Sequence, residues 1–361
     1  MKIRAFLIGA ATLPGAEVLR ELLLQTDVET ILLLVPGEES TRRRDLEQLE
    51  SYLGAMPRSV SLLAGDWRLP RFGLSASAWE ELAASFDVGF HCARRETLDQ
   101  NLGLARRANV RPMETWVQLL DSNPTLRLQY LSTAFIGGDR HGLLTEFDLE
   151  CGQGFHNAWE RSMFEAEVLL RESGAGDRVT VYRPSHILGR SDTGDAFQHG
   201  GAYPLLATLA GASILPGDAR ARLDFVPADY VAASMVALAF SGAAGTFHLA
   251  CGWNDSLPVR QVASLAAKGH GRSRGARLLP RGVAGPLRLA GAATLGGLTS
   301  RSLAFTTARD LLQQGPVFDT YLADITLTPL GVARPIPVSW LETTVHCAEA
   351  RRWESPPADR W

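Results

Sequence analysis

The chain has 361 residues, 46% of them hydrophobic and 21% charged, with a formal net charge of −3. That composition suits a globular protein with room for one large domain or two unequal ones, and it excludes disorder as the default state. It also lacks the overall basic field that general nucleic-acid binding needs. All basic residues except Lys2 and Lys268 are arginines, so any mechanism that needs a lysine has two candidates. Cys92, Cys151, Cys251 and Cys347 are too scattered for a metal-ligand set or a disulfide framework, and no metal site is expected. Met1 leads directly into an apolar strand, and no window of about 18 residues stays apolar without Arg or Pro. The expectation is a cytoplasmic protein without a membrane span.

In chain order, short apolar runs alternate with amphipathic stretches. Strands are expected at Ile3–Ile8, Thr30–Val35, Val60–Leu63, Val88–His91, Leu126–Leu131 and Val179–Tyr182, with a further strand, Gly245–Leu249, returning to the sheet. Helices are expected at Gly15–Leu24, Arg43–Tyr52, Leu98–Leu120 and Asn157–Glu172. This alternation is the signature of an α/β fold with a doubly wound, mostly parallel sheet. Residues 1–185 and 221–250 are read as a Rossmann-like domain. The turn-rich segments 186–220 and 251–361 are read as a smaller C-terminal substrate lobe.

The first strand runs into Gly9-Ala10-Ala11-Thr12-Leu13-Pro14-Gly15 and then a helix. A dinucleotide-binding turn places glycines there so that backbone N–H groups reach a pyrophosphate. The outer glycines are present, whereas Thr12 stands where the phosphates need room. The second strand ends in Val35-Pro36-Gly37 with no acidic residue for a ribose hydroxyl, and Arg42, Arg43 and Arg44 follow as candidates for a 2′-phosphate or as a solvated helix start. A basic run at Arg272, Arg274, Arg277 and Arg281 reads as a solvated face or as a contact for an acidic carrier or phosphate. The apolar stretch Gly282–Leu298 reads as a core helix or the floor of an acyl channel.

Further segments occur in a recognisable order: Gly65-Asp66-Trp67, Asp87 to Ala93, Ala108-Asn109-Val110, Tyr130 to Gly138, Asn157 to Glu167, Tyr182 to Gly189 and Leu223 to Val231. Over roughly residues 1–260 the chain resembles the extended short-chain dehydrogenase/reductases, in particular the thioester-reductase and fatty acyl-CoA reductase (male-sterility) branch. The resemblance implies a cofactor site at Gly9, Thr12, Gly15, Arg42, Arg43, Asp66 and Ala93, with NADP the expected cofactor, held weakly or not at all. It also implies a Ser/Thr, a Tyr and a Lys four residues after the Tyr as catalytic group. Thr133 fills the first position, but Trp159 and Met163 occupy the Tyr and Lys positions. An indole is a donor only and a thioether carries no charge, so neither replaces an acid and its activating cation.

The catalytic candidates that remain are Thr133, His156 and His186, with Glu146, Asp148 and His199 nearby in sequence terms; a histidine could act as general base without a cofactor. The leading expectation is an enzyme of acyl, polyketide or peptide-type specialised metabolism that performs a redox-free cyclisation, isomerisation or elimination. Its substrate would be a small acyl group, free or carried by an acyl carrier protein or coenzyme A, with no nucleic acid or membrane involved. Two alternatives stand beside it: a catalytically silent binding protein, and an NADP-dependent thioester or carbonyl reductase with a rebuilt active site. The pocket is expected above the C-terminal ends of the strands, between Ser132 and the substrate lobe.

Overall fold

The computed structural model describes residues 2–96, 101–279 and 315–353. Seven strands form one parallel sheet: β1 (Ile3–Ile8), β2 (Val28–Pro36), β3 (Val60–Gly65), β4 (Val88–His91), β5 (Arg127–Leu131), β6 (Val179–Pro184) and β7 (Gly245–Leu249). Their spatial order is β7-β6-β5-β4-β1-β2-β3, so the chain winds one way from β1 to β3 and the other way from β4 to β7. The order reverses between β1 and β4, and that is where an open parallel sheet leaves a ligand crevice at its carboxyl ends.

Strand side chains alternate between two faces, and each face has its own core. Ala5 and Leu7 of β1, with Ile31, Leu33 and Val35 of β2, share one cluster with helices α1 (Leu13–Leu24) and α8 (Ala228–Ser241). Phe6 and Ile8 join Phe72, Phe86 and Trp116 in the other, beneath α3 (Ala76–Ser85), α5 (Arg111–Ser122) and α6 (Ala158–Glu172). Val18, Leu19 and Leu22 are fully buried on α1, so Leu19→Ala would cost about 2–5 kcal/mol through the cavity it leaves.

The longer helices among the described residues are completed by α2 (Glu39–Leu53), α4 (Leu102–Asn109), α7 (Tyr203–Gly211), α9 (Val259–Gly269), α10 (Tyr321–Leu327) and α11 (Leu341–Ala350). The single helix expected over Leu98–Leu120 is two helices that meet at Val110, because Pro112 takes a first-turn position and restarts the helix there. Four short strand pairs lie outside the main sheet, among them Leu143–Leu144 with Val317–Phe318 and His186–Leu188 with Phe225–Pro227. They tie the late segments of the chain to the carboxyl edge of the sheet. Among the described residues no helix is long and apolar enough to cross a membrane, and no three His, Cys, Asp or Glu side chains group as metal ligands. Gly282–Leu298 and Arg281 lie outside the described residues.

Candidate active site

The loops after β1, β4, β5 and β6 all leave the parallel sheet at its carboxyl edge, and Gly9, Ala93, Thr133 and His186 follow those strands. Gly9 has φ +88°, and a Cβ there would meet the Ala93 nitrogen at 2.4 Å; a Cβ on Gly15 would meet the Gly9 oxygen at 1.9 Å. The two glycines therefore let the turn close against β4 and against its own helix. Thr12 is the N-cap of α1: its Oγ1 donates to the Gly9 oxygen at 2.7 Å and accepts the Gly15 N–H at 3.1 Å. The side chain thus folds back into the turn.

Beyond this turn an open groove of about 690 Å³ follows the carboxyl ends of β1 to β3, lined by Gly9, Pro36, Arg44, Asp66, Trp67 and Arg68. Asp66 is held by Arg68 at 2.8 Å, and the Arg68 contacts lower its pKa against the effect of burial. Arg42 donates to the Pro36 and Gly37 carbonyls, while Arg43 is exposed and pairs with Glu39 at 3.2 Å. The groove has room for the adenosine half of a dinucleotide. The turn, by contrast, does not fit the pyrophosphate of NADP: Pro14 has no N–H to offer a phosphate and the Gly15 N–H is already engaged.

Helix α6 carries Trp159 and Met163, which the sequence resemblance sets at the family's tyrosine and lysine positions. Asn157 caps it by accepting the Glu160 N–H at 2.8 Å, and Glu160 reaches back to the His156 N–H at 2.9 Å, a reciprocal cap. Apolar or small residues at Ala158, Trp159, Ser162, Met163, Ala166 and Leu170 form its buried face. Met163 is fully buried and its sulfur accepts the Tyr130 hydroxyl at 3.8 Å. Ser162 accepts from Asn109 at 2.8 Å.

Glu167, one turn further along, meets Arg183 of β6 at 2.6 Å with both side chains buried, and it also accepts the Ser132 hydroxyl. Arg183 donates in addition to the Asp148 carbonyl at 2.8 Å. This buried network fixes the end of β5, where Thr133 begins.

Thr133 is buried, and its Oγ1 accepts the Phe135 N–H at 3.3 Å. Among the described residues its own proton has no acceptor. The Phe135 ring lies 6.3 Å from Trp159, 4.5 Å from His186 and 5.8 Å from Phe318. The indole N–H of Trp159 is buried without a hydrogen-bond partner, an arrangement that usually costs about 1–3 kcal/mol. His186 is packed between Phe135 and Phe225, and this apolar setting pushes its pKa down to about 4, so it is neutral at pH 7.

His156 instead sits half-exposed at the start of α6, 3.0 Å from Glu160. Glu146 lies deep between β7 and α10: it accepts the backbone N–H groups of His248, Leu322 and Ala323 at 2.7–3.0 Å, and burial pushes its pKa up to about 7. Arg272 is spent on the Ala210 and Ala212 carbonyls. Thr133, Trp159 and His186 therefore converge on Phe135, whereas His156 is at the rim and Glu146 holds the C-terminal segment in place. The sequence named Glu146 near the catalytic candidates but assigned no role to Phe135 or Glu167. For Glu167 a signal existed in its position four residues after Met163, on the same helix face.

The profile of the male sterility protein family matches residues 7–235. The chain belongs to that family. Its architecture is that of the extended short-chain dehydrogenase/reductases: the terminal R domain of the myxalamid PKS-NRPS biosynthetic pathway superposes with a TM-score of 0.84 at 24% identity, over 98% of this chain and 92% of that one. A thiolation-reductase di-domain from an archaeal non-ribosomal peptide synthetase superposes with a TM-score of 0.74 at 15% identity, over 98% and 77%.

Among curated proteins, one of the subunits of the linear gramicidin synthase of Brevibacillus parabrevis is 27% identical over 68% of this chain and 5% of its own length. The L-2-aminoadipate reductase large subunit of Penicillium chrysogenum is 27% identical over 65% and 18%. The chain thus spans less than a fifth of either curated relative.

Proposed function

We propose that this protein processes acyl or peptidyl thioesters, carried by a carrier protein or coenzyme A, in peptide or polyketide-type specialised metabolism. The observation that carries the reading is a pair of hydrogen-bond donors at the family's catalytic positions, the Thr133 hydroxyl and the Trp159 N–H, neither of which has an acceptor among the described residues. Two such donors, a hydroxyl and an indole N–H, suit a step in which charge builds on an oxygen. When a nucleophile adds to a thioester carbonyl carbon, the π pair moves onto oxygen, and Thr133 can donate to that oxyanion. The carbonyl then re-forms, the C–S bond breaks, and the sulfur leaves with the bonding pair. A thiol has a pKa near 8.5, so thiolate departs near neutrality without a strong acid beside it.

Two nucleophiles are compatible with this scheme. Reduction is favoured by the names its relatives carry, a reductase and reductase domains; they support it over the redox-free chemistry expected from the sequence. The redox-free step keeps a specific observation on its side, the replacement of the tyrosine and lysine by Trp159 and a fully buried Met163. In that case a carbon or nitrogen of the substrate itself would attack. Segments 186–220 and 251–361 are read as the lobe that receives the acyl chain.

The deciding experiment supplies an acyl-pantetheine thioester with and without NADPH and follows free thiol, NADPH and trapped aldehyde. Thiol release coupled to NADPH loss and aldehyde assigns reduction, and thiol release without NADPH assigns the redox-free step. No thiol release refutes thioester processing.

A further inference from the structure

We infer that the turn between β1 and α1 is a helix cap rather than a pyrophosphate cradle. A cradle works by presenting free backbone N–H groups at a helix N-terminus to phosphate oxygens. In this chain most of the donors at the start of the helix are used up or missing. The Thr12 N–H goes to the Gly9 oxygen at 3.1 Å, and the Ala16 N–H goes to the Thr12 carbonyl at 2.9 Å. Pro14, in the first turn of α1, has no N–H. The Gly15 N–H is bonded to the Thr12 hydroxyl, which itself donates to Gly9. Between residues 12 and 16 that leaves only the Leu13 N–H for a ligand.

The threonine also adds bulk where the middle glycine of such a turn lets the phosphate backbone come close. Thr12 is buried, so its hydroxyl is part of the packed turn and is not a second-best phosphate donor. Of the cations near the groove, Arg42 is committed to the Pro36 and Gly37 carbonyls, Arg68 to Asp66 at 2.8 Å, and Arg44 stands 3.8 Å from Asp45. A ligand entering the adjacent groove would therefore be held by its adenosine half. Each missing charge-assisted bond weakens binding by about tenfold or more. This inference is independent of which nucleophile the thioester chemistry uses: a poorly gripped cofactor raises the concentration needed without forbidding its use.

The test compares adenosine, ADP and NADPH by calorimetry on the full chain and on the double variant Thr12→Gly with Pro14→Leu. Adenosine serves as the control because it has no phosphate. The wild type is expected to bind NADPH only in the millimolar range and to prefer ADP over adenosine by less than about tenfold. The double variant should bind ADP and NADPH at least about tenfold more tightly with adenosine unchanged. Should the double variant unfold, Pro14→Leu alone restores one N–H with the cap intact and should give a smaller gain of the same selectivity. Micromolar NADPH affinity in the wild type, or a folded variant that binds ADP no better, would overturn the inference.

Discussion

Neutralising one member of the buried Glu167–Arg183 pair should destabilise the protein far more than removing both. The two side chains are 2% and 3% exposed and meet at 2.6 Å, and Glu167 also accepts the Ser132 hydroxyl. Glu167→Gln keeps the shape and the serine contact but leaves a guanidinium in the interior without its counter-charge, which costs about 3–5 kcal/mol. Arg183→Met should cost at least as much, because it strands the carboxylate and also removes the donor to the Asp148 carbonyl.

For a chain of this size 1 kcal/mol shifts Tm by about 1.3 °C, so each single change should lower Tm by about 4–7 °C. In the double change Glu167→Gln with Arg183→Met the charges leave together. It should fall clearly short of the sum of the singles, as expected for directly coupled sites. Thermal and urea unfolding of the four proteins at pH 7 gives the coupling energy. A cost below about 1 kcal/mol for Glu167→Gln, or simple additivity in the double variant, would refute the view that this pair fixes the end of β5.

Other outcomes follow from the site. Glu146 has its pKa raised to about 7 in the fold; a raised acid contributes its full stability below the ordinary carboxylate range and loses it as pH rises through 7, so unfolding free energy should decline from pH 5 to pH 8 and Glu146→Gln should flatten that slope. His186, pushed down to about 4, should give no titration in proton NMR between pH 5.5 and 8, and a midpoint near 6.5 would contradict its apolar setting. Trp159→Tyr combined with Met163→Lys should raise NADPH-dependent turnover in any background that binds NADPH. If a variant shown to bind the cofactor gains nothing, the loss extends beyond these two side chains.

Most of the sheet was legible because each strand is a short apolar run bounded by turn residues, and β1, β4 and β7 fall where that pattern places them. Two effects escaped the pattern. Pro112 splits the long helix after β4, since a proline that begins a new helix looks, in sequence, like one inside a continuous stretch. Helices such as α8, apolar on most sides, carry no clear period to read.

At the site, Trp159 and Met163 were placed on one face of α6 by the sequence register, and both are buried there. Their consequences depend on partners distant in sequence, such as Tyr130 for Met163 and Phe135 for Trp159. The direction of the Thr12 side chain was likewise not readable: residue type gives its bulk, but only the turn geometry shows that the hydroxyl caps α1. Glu146 lies 176 residues before the Leu322 N–H it accepts, a contact no local pattern encodes.

The central claim, thioester processing at an oxyanion site built on Thr133, is tested most directly by the rate of thiol release from an acyl-pantetheine thioester in the wild type, Thr133→Ser and Thr133→Ala. The account predicts release above the uncatalysed rate, a fall of about 10²-fold or more in Thr133→Ala with the fold intact, and substantial recovery in Thr133→Ser, where the donor hydroxyl is kept. Undiminished release in Thr133→Ala, or no protein-dependent release at all, would contradict it.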